Sequence, residues 1–369
     1  MRFKFLVLTL LVTWFNADFA LGQDKKPADD DVVRVETQLV DVPVAVTSTG
    51  GVPIAGLKAS NFVLYEDGKR QAITGFAATA EPFEVALLLD TSGSARSDLP
   101  LIQRAAQNFI ASLRSGDRVS VMSYKTERKD NQAYAVTEVL SQLTDDRKAL
   151  RTAVENVRTS NGTPLYDSLI QVAEKIFGQR PSGQFRGRRA LVALTDGVDS
   201  TSGADFALAK ELLAETGVVI FFIKVDTQAY FEENLMGDCQ SATRFSAAQI
   251  RRYYRGIAAT GKMEKAASFC ELGEFERLAV SKRLYEIADT EMADLARISG
   301  GKVYPVGDLN EARSAFKSVA GEIGTKYTLG YYPTNDKRDG AYRRIRVELT
   351  GLPKGAQVRA REGYTAPTN

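Results

Sequence analysis

The chain changes texture three times along its length. Residues 32–48, VVRVETQLVDVPVAVTS, alternate apolar and polar positions, and a two-residue period puts Val40, Val42, Val44 and Val46 on one face of a strand. In FVLYEDGKRQAI, two short strand-like pieces flank Asp67-Gly68, a hairpin signal. From Phe83 onward, near-continuous apolar runs alternate with segments of helical spacing. FEVALLLD, GDRVSVMSY, RRALVALTD, GVVIFFIKVD and KVYPV read as strands. LPLIQRAAQNFIASL, DDRKALRTAVENV, TPLYDSLIQVAEKIF, DFALAKELLAET, EMADLARISGG and DLNEARSAFKSVAGEI read as helices. Apolar strands alternating with amphipathic helices predict a doubly wound, mostly parallel α/β sheet covered on both faces. After Thr325 the texture returns to β in KYTLGYYPT, YRRIRVELT and AQVRAREGYTA.

These shifts predict an N-terminal β segment over 32–80, an α/β domain over 83–325 and a C-terminal β segment over 326–366. The two β segments are expected to pack together as a small sandwich. One stretch breaks the α/β rhythm. Residues 227–285 form an insert where such folds usually connect a strand and a helix in a few residues.

The first residues stand apart from the fold. MRFKFLVLTLLVTWFNADFALGQ has Arg2 and Lys4, an apolar run from Phe5 to Phe15, and small residues at Ala20 and Gly22, which predicts a cleaved signal peptide over 1–22. The apolar run is short for a membrane span, and no later segment reads as transmembrane. The mature protein is expected in the periplasm or outside the cell. In that setting Cys239 and Cys270, the two cysteines of the chain, are expected to pair.

Composition then removes whole classes of chemistry. The 369 residues include no histidine, which excludes Ser-His-Asp and Cys-His nucleophiles and imidazole-ligated zinc. A formal net charge of +2 gives no electrostatic reason to expect a nucleic acid or an anionic membrane as partner. GIAATGKM matches GxxxxGK, but Met263 replaces the Ser or Thr that would hold Mg²⁺ and no buried strand precedes it, so no nucleotide site is expected there.

In an open parallel sheet, ligands bind beyond the carboxyl ends of the strands, where the strand order reverses. Two apolar strands end in aspartate, ALLLD in Asp90 and ALVALTD in Asp196. Asp90 is followed by Ser92 and Ser94, and the polar loop SNGTPLYDSL supplies Thr163 ahead of a helix. Two carboxylates and three hydroxyls are an all-oxygen set, suited to Mg²⁺, Mn²⁺ or Ca²⁺ and poorly to zinc. Asp199, just past LTDG, reads as a turn residue.

The ordered set DxSxS after a buried strand, a threonine in GTPLYD and an aspartate in LTDG resembles the metal-ion-dependent adhesion site of von Willebrand factor type A domains. The β flanks, including NFVLYEDGKRQAITGF and VRAREGY, are similar to those of exported von Willebrand A-related proteins of acidobacteria. The resemblance implies direct metal contact from the hydroxyls of Ser92, Ser94 and Thr163. It also implies that Asp90 and Asp196 act directly or through water. A partner protein would then supply an Asp or Glu carboxylate to the cation, with no catalysis. A metal-assisted phosphoryl-transfer hydrolase with Asp90 as nucleophile and a structural envelope protein are the alternatives. Against the hydrolase, Ser92 stands where such enzymes carry a second aspartate. The insert is rooted at the same sheet edge, so it is expected to shape or gate the binding surface, offering Glu232, Glu233 or Asp238 as an internal plug. A lobe packed away from the site is the alternative.

Overall fold

The computed structural model describes residues 39–368 except 50–51, 79–81, 93–98, 130–131, 179–187, 240–241, 243, 257–268 and 325–326. The expected signal peptide over 1–22, Ser94 and the GKM end of the GxxxxGK run lie outside the described residues.

The N-terminal flank folds into β1 (Val40–Thr47), β2 (Phe62–Glu66), β3 (Lys69–Gln71) and β4 (Gly75–Ala78). The β2–β3 hairpin turns at Asp67 and Gly68, both left-handed with φ of 46° and 80°. A two-residue turn of that hand matches the strand twist, which is why Asp-Gly serves there. The α/β region then runs β5 (Glu84–Leu89), α1 (Leu99–Ser112), β6 (Arg118–Lys129), β7 (Gln132–Thr144), α2 (Arg147–Glu155), α3 (Leu165–Gln171), β8 (Arg189–Thr195), α4 (Phe206–Thr216) and β9 (Val219–Val225). It continues through α5 (Gln228–Glu233), α6 (Ala247–Gly256), α7 (Glu274–Ser299), β10 (Lys302–Val306) and α8 (Leu309–Gly324). The C-terminal flank adds β11 (Tyr327–Tyr331), β12 (Tyr342–Leu349), β13 (Gln357–Ala360) and β14 (Gly363–Thr365).

The central sheet has the order β10-β9-β8-β5-β6-β7. Every pairing in it is parallel except β6 with β7. Both faces are covered, which explains the unbroken apolar strands. Val85, Leu87 and Leu89 pack with α1, α2 and α8 on one face, whereas Ala86 and Leu88 pack with α3, α4 and α7 on the other. This is the doubly wound α/β fold expected from the pattern. Two elements depart from the sequence reading. The alternating run AYAVTEVLSQL, absent from the strands expected above, forms β7 and pairs antiparallel as the sheet's edge. EMADLARISGG is the last part of a single 26-residue helix, α7, that starts at Glu274 inside the insert.

The flanks form two further four-stranded sheets, β13-β1-β11-β4 and β14-β12-β2-β3, each mixing N- and C-terminal strands. Val42, Val44, Leu64, Leu329 and Val347 share the core between them. This sandwich meets the α/β region near the start of β10. There Arg359 pairs with Glu322 and the Glu362 N–H donates to the Ile298 carbonyl at 3.3 Å. The opposite end of the sheet, where the parallel strands finish, is left to the loops and the insert.

Candidate cation site

From β5 the chain passes to β6 on one side, while β8 lies on the other, so the strand order reverses between β5 and β8. These two strands pair in parallel up to Leu89 opposite Leu194. The residues that follow, Asp90 on one and Thr195-Asp196 on the other, therefore emerge side by side. The Asp90 N–H donates to the Leu194 carbonyl at 2.9 Å. Thr195 Oγ1 donates to Asp90 Oδ2 at 2.7 Å and the Ser92 N–H to Asp90 Oδ1 at 3.0 Å. The Ser92 hydroxyl also bonds this carboxylate. Asp90 is only 7% exposed. Burial, and then the charge of Asp196, push its carboxyl up to about 7. Asp196 is likewise raised by burial. Its Oδ1 accepts from the Val198 N–H at 2.9 Å and its Oδ2 from Thr227 Oγ1 at 2.6 Å. Between them the chain turns at Gly197, with φ of 80°, where a Cβ would fall 2.7 Å from Met292 Sδ. Glycine suits the left-handed conformation of this turn, and a side chain there would also press on the end of Met292.

Thr163 reaches this place through two tethers. The Ser160 N–H donates to the Thr91 carbonyl at 2.8 Å, holding the loop against the end of β5. The Thr163 N–H donates to Ser200 Oγ at 2.8 Å, and its carbonyl accepts from the Ser200 N–H at 2.9 Å, holding it against the loop after β8. The approach is close. A Cβ on Gly162 would lie 2.6 Å from Thr201 Cγ2. With its backbone so used, Thr163 is 4% exposed, and its hydroxyl has no hydrogen-bond partner among the described residues.

Asp199 is more than a turn residue. It is buried, accepts from Ser202 Oγ at 2.5 Å and from the Tyr166 N–H at 3.3 Å, and so fastens the β8 loop to α3. Burial lifts its carboxyl to about 6. Nothing in the local sequence distinguishes it from a solvated Asx turn; what does is its burial and its bond to Tyr166, which is distant in sequence.

Asp90 and Asp196 make no ion pair among the described residues; Lys224, which faces Asp196, pairs with Asp289. Two crowded, desolvated carboxylates beside hydroxyls form a donor set that fits a hard divalent cation. No group of three or more His, Cys, Asp or Glu side chains is placed to hold a metal among the described residues. A cation here would therefore depend on Ser92 and Thr163 as well as on the two acids.

The insert is a lobe with its own core, in which Leu235, Phe245, Ile250, Tyr254, Phe269 and Leu284 cluster. A disulfide joins Cys239 to Cys270 across a Cα–Cα distance of 5.2 Å. The lobe sits at the site. Ser246 Oγ donates to the Ser200 carbonyl at 2.6 Å. Arg252 stacks on Tyr166, 4.9 Å from the ring centroid, and pairs with Glu291 at 2.5 Å. Glu232 is turned inward to Gln228 and Ser281, and Glu233 and Asp238 are exposed. What the lobe sets against Asp196 is the Thr227 hydroxyl, a residue the sequence reading did not single out.

Residues 85–198 match the family model described as von Willebrand factor type A domain. No curated protein matches the chain. Among solved structures, BatB from Bacteroides thetaiotaomicron is 17% identical, with 65% of this chain and 97% of that one covered and a TM-score of 0.39. A von Willebrand factor type A protein from Catenulispora acidiphila is 14% identical, with 90% and 74% covered and a TM-score of 0.42. Proximal thread matrix protein 1 from the mussel byssus, solved with a zinc-occupied MIDAS motif, is 14% identical, with 66% and 48% covered and a TM-score of 0.41. In the described residues, no helix is long and apolar enough to cross a membrane.

Proposed function

We propose that this protein is an exported, adhesion-type binding module that holds a divalent cation, Mg²⁺ or alternatively Mn²⁺ or Ca²⁺, at the carboxyl edge of its sheet. One observation carries the reading: Asp90 and Asp196 are crowded together at the strand-order reversal, and among the described residues neither makes an ion pair. Asp90, Ser92, Ser94, Thr163 and Asp196 would hold the ion. The neutral hydroxyls leave it short of negative charge, so it would take one further carboxylate from a partner protein. Bound there, the cation supplies a Lewis-acidic attachment point, and the chain's own residues orient it. Thr195 and the Ser92 N–H hold Asp90, while the Ser200 loop holds Thr163.

The two oxygens of Asp90 already accept hydrogen bonds from Thr195 and Ser92. That suits a fixed ligand better than an attacking nucleophile, which favours binding over phosphoryl transfer. The Cys239–Cys270 disulfide supports export to an oxidising compartment. Metal-dependent pull-down from the source organism's envelope extract tests the function. A partner captured in Mg²⁺, released by EDTA and not captured by Asp90→Ala supports it. Capture that is indifferent to EDTA and to that substitution overturns it.

A further inference from the structure

We propose that Thr227 and Tyr285, the first and last residues of the insert, form a hydroxyl clamp that positions Asp196 for the cation. The inference rests on the cation reading above and makes the insert part of the site. Thr227 Oγ1 lies 2.6 Å from Asp196 Oδ2 and 2.9 Å from the Tyr285 hydroxyl. A hydroxyl has one proton to donate. The ionised carboxylate is acceptor-only, so the threonine proton goes to Asp196 and the tyrosine must donate to the threonine. The result is a directed chain from Tyr285 through Thr227 to Asp196, each bond polarising the next.

The other carboxylate oxygen is held by the Val198 N–H at 2.9 Å. With at least one bond on each oxygen, the carboxylate plane is fixed. Both clamp residues are themselves fixed. Thr227 has a stiff β-branched side chain. Tyr285 is 6% exposed, and its ring meets Phe231 edge-on at 6.3 Å. The adjacent Leu284 lies in the lobe core. Another bond that anchors the lobe, from Ser246 to the Ser200 carbonyl, uses backbone as acceptor. The clamp instead spends its donor on a proposed ligand. Thr227 and Tyr285 are therefore positioning residues, and the folded state of the insert sets the orientation of Asp196.

The test is titration calorimetry of Mn²⁺ into the metal-stripped mature protein and its Thr227→Val, Thr227→Ser and Tyr285→Phe variants, with melting curves in EDTA. Thr227→Val is expected to weaken Mn²⁺ binding about tenfold, equivalent to about 1.4 kcal/mol. Tyr285→Phe should weaken it about threefold, and Thr227→Ser should restore wild-type affinity. A Thr227→Val protein that melts earlier but binds Mn²⁺ as wild type does, or a Thr227→Ser protein no better than Thr227→Val, overturns the clamp and leaves the cation reading standing. A wild-type protein that takes up no Mn²⁺ overturns both.

Discussion

Replacing Asp90 with asparagine should make the metal-free protein more stable at neutral and alkaline pH, and the size of the gain follows from the burial of that carboxyl. An unfolded aspartate titrates near 3.9. In the fold, desolvation and the neighbouring Asp196 raise Asp90 to about 7. Between those values the folded protein keeps a proton that the unfolded chain releases. Stability from this group is therefore complete below about 4 and is withdrawn as pH rises through 7. Three pH units at 1.36 kcal/mol each set a ceiling of about 4 kcal/mol. Asp196 and Asp199 are raised too and act in the same sense. The exposed caps Asp146 and Asp308 are lowered and act in the opposite sense, below this window.

Asparagine keeps the shape and removes the charge. Its carbonyl can accept from the Ser92 N–H, and its amide can donate to Thr195 Oγ1, which then accepts from it and from the Gly197 N–H. Urea unfolding in EDTA at pH 5, 6, 7 and 8 is the assay. Wild type should lose stability across the series. Asp90→Asn should lose less and exceed wild type at pH 8. Saturating Mg²⁺ at pH 8 should stabilise wild type by mass action and leave the variant unchanged. Wild-type stability in EDTA that holds or rises from pH 5 to 8, or a variant less stable than wild type at pH 8, would refute the reasoning.

Gly162→Ala should destabilise the protein by about 1–3 kcal/mol, because its Cβ would enter the space of Thr201 Cγ2 at 2.6 Å; a Thr201→Ser change in the same protein should recover part of the loss, and thermal melts of the single and double variants check this. Converting Cys239 and Cys270 to serine opens a closure of 31 residues, worth about 3–4 kcal/mol in the chain-entropy account. Because the lobe has a core separate from the sheet's two layers, hydrogen exchange should rise within 227–285 and stay unchanged in β5, β8 and β9.

The ends of the strands are legible in the sequence because an apolar run such as ALLLD or ALVALTD can lie only inside a covered sheet. Its first charged residue then marks the edge. Asp90 and Asp196 are placed by that reasoning alone, and the parallel register from Leu89 to Leu194 brings them together. β7 escapes it because an edge strand has one face partly open, so Gln132–Thr144 carries a weaker pattern than its buried neighbours. Thr195, Ser200 and Asp199 escape it for another reason: their roles are hydrogen bonds to residues distant in sequence, such as Asp90, Thr163 and Tyr166.

Thr227 and Tyr285 combine both difficulties, yet their meeting has a simple geometric cause. An insert that leaves the carboxyl end of β9 and returns into α7, the helix leading to β10, must bring its first and last residues back to one place. β9 lies beside β8, so that place is next to Asp196. The lobe's interior can vary in length and fold without changing this, since only the two ends are constrained by the sheet. Part of the insert's proposed influence on the site thus lies in its two boundary residues, Thr227 just past β9 and Tyr285 on α7.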